Sequence, residues 1–347
     1  MSSADAVAGV LWIGATAYAV FGGADFGAGF WSLVAGGGDR GRRARELIDW
    51  AIGPIWEANH VWLIFVLVVL WTAFSAAFEA IFSTLFIPLS LAALGIVLRG
   101  AGFAFHKTAR RLKGRALAER LFGLSSLLTP FFMGTVVGAI AAGRVPLGNA
   151  AGDPVTSWLN PVSLLVGALF VATSAYLSAV FLVSDARRAA APDLERYFTV
   201  RALGAALVAG AAAVAGILAL HADAHYLYDR LTHEALPLVI LSALCGLAVL
   251  ELLRRRAHRG ARPLAVGAVV AVIWAWGVAQ YPYLLPEQLT IADGAGASAT
   301  LTSVLIVFGV AVVLVLPAIA VLFTLAQRSL IEESERPRPP PERKQTA

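Results

Sequence analysis

Between residues 53 and 65 the chain reads GPIWEANHVWLIF, with Glu57, Asn59 and His60 at the head of an apolar run and Trp56 and Trp62 on either side. Two further ionisable groups stand in apolar surroundings, Asp25 in GGADFGAGFW and Arg99 in GIVLRGAGFAF. A carboxyl group partly withdrawn from water holds its proton more readily, which suits it to take up and hand on protons near neutral pH. Each residue also has a plainer reading. Glu57 follows Gly53-Pro54, as an acid in a first helical turn favoured by the helix dipole would. Asp25 could form a salt bridge to Arg99, Arg99 could snorkel to an interface, and His60 could be an ordinary satisfied polar side chain. The residues alone leave both sets of readings open.

Metal and haem chemistry find less support. A haem held inside a helical bundle needs inward-facing His or Met ligands. Met1 and Met133 are the two methionines, and His106, His221, His225, His233 and His258 fall at the ends of apolar runs or between them. Only His60 is placed within a run, without an evident partner. Cys245 is the single cysteine, so no disulfide forms within the chain and no zinc pattern is present. No metal ligands are assigned.

These residues must be positioned by helices in a bilayer. Of 347 residues 59% are hydrophobic and 14% charged, against about 25% charged in soluble domains. Apolar runs long enough to cross a membrane recur along the chain, and a chain in lipid must satisfy its backbone within each segment. The expectation is an all-α polytopic membrane protein with nine spans, near 7–35, 56–75, 80–105, 120–142, 161–184, 199–222, 234–255, 262–282 and 299–327. The first run has no Lys or Arg before it and is expected to stay as a span. Residues 143–160 read as a loop. Residues 1–331 form one membrane domain, divided into an N-terminal part of about 1–142 and a C-terminal part of about 161–327. The tail 332–347, rich in Pro, Glu and Arg, is expected to be disordered.

All but three of the 27 Lys and Arg residues fall in the segments 40–45, 107–120, 187–201, 254–262 and 328–344, on one side of the nine-span layout. The positive-inside rule then puts the N-terminus outside and the C-terminus in the cytoplasm. The basic balance is therefore a topology signal and argues against a nucleic-acid partner. In this layout Asp25, Glu57, His60 and Arg99 share one depth on three successive spans. Gly23 and Gly27 have the small-xxx-small spacing that lets another helix come close.

The motifs GGADFGAGFW, IGPIWEANHVWLIF, LRGAGFAF and, later, YPYLLP resemble those of subunit II of the cytochrome bd-type quinol oxidases. The resemblance implies two four-helix bundles plus one peripheral helix, in the bacterial inner (plasma) membrane. It implies a heterodimer with subunit I, with possible small accessory subunits. Subunit I would carry the quinol site and the ligands of haem b and haem d, and this chain alone would bind neither. The complex would oxidise quinol and reduce oxygen to water, separating charge because protons come from the inside. Subunit II would brace it, with Glu57 and Asp25 on a proton route and Trp56, Asn59, His60, Trp62 and Arg99 near an oxygen path or the subunit interface. Many members carry aspartate where Glu57 stands, and glutamine or glutamate where His60 stands, which points to a divergent, cyanide-insensitive or bd-like branch. Two other classes compete: an ion-coupled secondary transporter, which expects midplane charges in both halves of the chain, and a purely structural assembly subunit.

Overall fold

A computed structural model describes residues 2–52, 56–108, 112–257 and 259–327, with side chains for all of these except 52, 56–58, 103–108, 112–118, 316, 319–320 and 322–327. The expected tail 332–347 lies outside the described residues, as do His258 and the motif residues Gly53 and Pro54. The architecture is helical throughout, apart from one two-stranded hairpin.

The first helix, α1 (Ser3–Leu33), starts at a capping box in which Ser2 and Asp5 satisfy each other's backbone N–H. It is the axis of the molecule. Three long helices pack against it: α3 (Trp56–Ala73), α6 (Leu112–Ala141) and α7 (Pro161–Arg188). α5 (Phe86–Thr108) packs on α6, and α8 (Pro192–Asp223) lies along α7. α10 (Leu236–Arg254) and α11 (Ala261–Gln280) form an antiparallel pair, and α12 (Ser298–Gln327) leans on α1 and α3. Asn160 caps α7, accepting the Ser163 N–H at 3.0 Å, and Pro161 follows at the first helical position, where its missing N–H costs nothing.

Among the described residues, seven helices are long and apolar enough to cross a membrane, or eight if α3 and the following α4 (Ser75–Thr84) count as one bent span. The expected span 80–105 is corrected at its start. The helix beginning at Ser75 ends at Thr84 and α5 begins at Phe86. α4 turns 117° from α3 and lies across the end of the bundle, burying Phe74, Ala77, Ala80, Ile81 and Leu85. The apolar run passes through this bend without a Gly or Pro, which is why hydropathy alone places a span boundary elsewhere.

Three further elements interrupt segments expected as loops. Within 36–55 lies α2 (Gly38–Ile52), an amphipathic helix whose Ala44, Leu47 and Ile48 are buried while its arginines face outward. After α8 comes the short α9 (His225–Thr232). After α11 a hairpin of β1 (Tyr283–Leu285) and β2 (Leu289–Thr290) follows the cis Tyr281–Pro282 bond. The loop 143–160 holds turns only, as expected.

The connections sort to two ends. At one end, α2, the α7–α8 turn and the α10–α11 turn are tied by Arg43 to Asp193 at 2.7 Å, Arg187 to Glu195 at 2.7 Å and Arg262 to Asp185 at 2.6 Å. At the other, α4, the 143–160 loop and the hairpin are joined by Ala150 N–H to Ser83 Oγ and Leu147 N–H to Gln288 Oε1, both at 2.8 Å. Most of the described arginines outside the spans thus gather at one end, the charge asymmetry read from the sequence.

Candidate functional site

In the C-terminal third of α1 the chain buries a charge pair. Arg99 of α5 reaches Asp25 of α1, its Nη2 standing 2.5 Å from Asp25 Oδ1 and donating also to the Asp25 carbonyl oxygen at 3.0 Å. Its Nη1 donates to Ser126 Oγ on α6, and Ser126 in turn donates to the Phe122 carbonyl at 2.5 Å. The guanidinium lies 4.2 Å from the centroid of Phe122 and 5.0 Å from that of Phe26. Arg99 is fully buried and Asp25 nearly so. Two opposite charges taken out of water are tolerated when they neutralise each other and spend their remaining hydrogen bonds; here α1, α5 and α6 supply both conditions.

The third contribution comes from α3. Asn59, fully buried, donates from Nδ2 to Asp25 Oδ2 across a long 3.5 Å. The pair is therefore well held on the Arg99 side and loosely held on the Asn59 side. Among the described residues, three polar atoms around it have no hydrogen-bond partner: Asn59 Oδ1, Arg99 Nε and the Tyr18 hydroxyl, the last buried close enough to feel both charges. Buried unpartnered groups are uncommon and point to water or to a function.

Glycines make the space. A Cβ on Gly29 would collide with Ser126 Oγ and come within 2.8 Å of Arg99 Nη1, and one on Gly22 would lie 3.0 Å from Asn59 Oδ1. A Cβ on Gly27 would overlap the Ser174 carbonyl of α7, and one on Gly23 would sit 3.1 Å from Leu177. So Gly23 and Gly27 do lie where α1 approaches another helix, and that helix is α7.

On the other side of Asp25, between α1, α2 and α7, lies a cavity of about 30 Å³ lined by Ala24, Asp25, Ala28, Ala51, Ser178, Phe181, Leu182 and Asp185. A space of this size with polar groups in its wall has room for a water molecule. Asp185, near the last turn of α7, is held by Arg262 and Arg188 at the basic end. The cavity therefore lies between the buried carboxylate and a carboxylate close to the surface.

Of the residues singled out in the sequence, Asp25, Arg99 and Asn59 are brought together. Glu57 and Trp56 stand in the first turn of α3, but their side chains lie outside the described residues. His60 and Trp62 are half-buried, and Trp62 meets Phe65 edge-on at 6.2 Å. Sequence reasoning did not pick out Tyr18, Ser126, Ser178 or Asp185. For Ser126 a signal was present: Ser125, Ser126 and Thr129 interrupt an apolar run at helical spacing, all fully or nearly fully buried.

The chain is similar to known proteins along most of its length. The sequence pattern of the family described as cytochrome bd terminal oxidase subunit II matches residues 4–326. A Bacillus subtilis (strain 168) protein carrying the name of a cytochrome bd menaquinol oxidase subunit II is 23% identical over 320 residues, covering 89% of this chain and 91% of its own. The cytochrome bd ubiquinol oxidase subunit 2 of the same organism is 24% identical over 235 residues, 67% of each chain. A chain of the bd oxidase structure from Geobacillus thermodenitrificans superposes with a TM-score of 0.75 at 26% identity, covering 94% of this chain and 98% of that one.

Proposed function

This chain belongs to the cytochrome bd terminal oxidase subunit II family, and we propose on that premise that its buried charges serve the complex by passing protons while the haems are held elsewhere. As subunit II it is part of a quinol oxidase, an oxidoreductase complex in the bacterial membrane that includes a partner subunit. On our reading it is not catalytic alone. It braces subunit I, forms the heterodimer with it, meets quinol only through it, and leaves room for small accessory subunits. We keep the nine-span layout in two four-helix bundles plus a peripheral helix, with the N-terminus outside and the C-terminus cytoplasmic.

The family implies haems in the complex. The two cavities described, of about 30 and 220 Å³, are lined by neither His nor Met, and among the described residues no group of three or more His, Cys, Asp or Glu could hold a metal ion. We assign haem b and haem d to subunit I, because the sequence places only His60 within an apolar run.

The cavity between Asp25 and Asp185 carries the proton reading. Water in it would give a proton a path from the basic end to the buried Asp25 carboxylate. Arg99 already neutralises Asp25. A proton arriving there leaves the arginine uncompensated, so the site gains a net positive charge in a medium that penalises it. It holds the proton only transiently and hands it on. Glu57 is the second carrier, and Trp56, Asn59, His60, Trp62 and Arg99 border the oxygen path or the subunit interface. The test is oxygen consumption by the purified complex, alongside its haem spectrum. Asp25→Asn and Glu57→Gln should each slow turnover at full haem content, and Glu57→Asp should retain most of it. Wild-type turnover in both neutral variants would leave the two acids with structural roles only.

A further inference from the structure

A second cavity, of about 220 Å³, opens at the basic end between the first turns of α8 and the last turn of α10. Its walls carry Arg196, Arg254 and Arg256 together with Val200, Leu203 and Leu253. The other nearby charges are spent. Glu195 in the same wall is neutralised by Arg187 at 2.7 Å, and Arg255 by Glu251 at 2.5 Å. Among the described residues no acid forms an ion pair with Arg196, Arg254 or Arg256. Three guanidinium groups, on α8, at the end of α10 and just beyond it, thus border one groove without an ion-pair partner among the described residues.

The geometry points to a binding site for one anionic phospholipid, its phosphate between the three arginines and its acyl chains along α8 and α10. Guanidinium groups are weakly hydrated and grip phosphate oxygens in pairs. Below the arginines the groove wall turns apolar, and both helices leave large side chains uncovered along their length, Val200, Leu207 and Leu218 on α8, Leu244 and Leu247 on α10. A charged head above an apolar shaft is the shape of a lipid. A free phosphate ion would use only the upper part of the groove, and a soluble partner would not use the lower part. α8 packs broadly on α7 and only lightly on α10, so a lipid here would clip together two helices that the protein joins weakly.

The experiment uses the purified, haem-loaded oxidase complex and native mass spectrometry with added phosphatidylglycerol, phosphatidylcholine of the same chains, or inorganic phosphate. Phosphatidylglycerol should remain bound to the wild type. The variant Arg196→Gln/Arg254→Gln/Arg256→Gln should bind it roughly a hundredfold more weakly, the product of about fivefold per arginine. Arg40→Gln/Arg42→Gln/Arg259→Gln, at the same end but outside the groove, should leave binding unchanged. Val200→Trp fills the apolar wall without touching charge and should also weaken binding, which decides the matter if the arginine variant loses its haem spectrum. Equal retention in the Arg196 variant and the wild type overturns the proposal. So does equal retention of phosphatidylcholine, displacement of lipid by millimolar phosphate, or a wild-type complex that keeps no lipid because its partner subunit covers the groove.

Discussion

α7 and α8 lie side by side, yet 61% of the most apolar stretch of α7 is buried within the protein and only 6% of that of α8. The three least buried of the long spans, α8, α10 and α12, are also the three most apolar. In water the order would be reversed. Lipid tails are as apolar as leucine, so greasy side chains gain nothing by turning inward. What lets α1, α5, α6 and α7 come together is close approach through small residues: Gly27 against Ser174, Gly138 against Ser163, Gly95 against Thr129. In this molecule apolarity marks the outside, and glycine, serine and one ion pair mark the inside.

The sharpest way to break this contrast is to place the same side chain on both helices. Gly27→Leu drives a branched side chain into the α7 backbone, where nothing flexible can give way. Overpacking typically costs about 1–3 kcal/mol and more when backbone must move, so the complex should lose most of its yield and haem content. Gly210→Leu on α8 meets nothing within 4 Å. It should assemble normally and gain up to about 1 kcal/mol in helix propensity. Thermal unfolding of the two purified complexes gives the comparison, and similar losses in both would show that α8 is covered in the assembly.

A second contrast separates buried from exposed charge. Arg99→Gln leaves Asp25 buried without its counter-charge, a change that costs about 3–5 kcal/mol in comparable sites. Asp25→Asn/Arg99→Gln removes both charges and should recover much of that loss. A double variant no more stable than Arg99→Gln would mean that the pair is not a closed unit. Arg43→Gln should change the melting temperature least, because its pair with Asp193 is about half exposed on both sides and such pairs contribute about 0–1 kcal/mol.

How much of this was legible in the sequence follows the same division. A lone acid and a lone arginine in apolar runs of equal depth marked Asp25 and Arg99 for attention, but the sequence left open whether they pair with each other. The close approach of α1 to a neighbour was readable from Gly23 and Gly27, but not that the neighbour is α7, since spacing on one helix says nothing of its partner. α2 was hidden by its four arginines, which read as loop although Ala44, Leu47 and Ile48 recur at helical spacing. The bend after Ala73 was hidden for the opposite reason. α4 is about as apolar as the following α5, and what stops the helix there is tertiary packing of Phe74 and α4 against Val145, Leu285 and Leu289.

That packed end has an electrical consequence. Phe74, Leu85 and Leu285 have no exposed surface and Val145 almost none, so the region under α4 is dry. A membrane voltage does not fall evenly through a protein. It drops mainly where water is absent, at about 2.3 kcal/mol per charge for each 100 mV. On the proton route proposed above, water enters the cavity beside Asp25 from the basic end, and the layer under α4 is the insulator. A charge at Asp25 therefore sits electrically close to the basic side, and most of the field lies ahead of it, across the hydrocarbon-like seal.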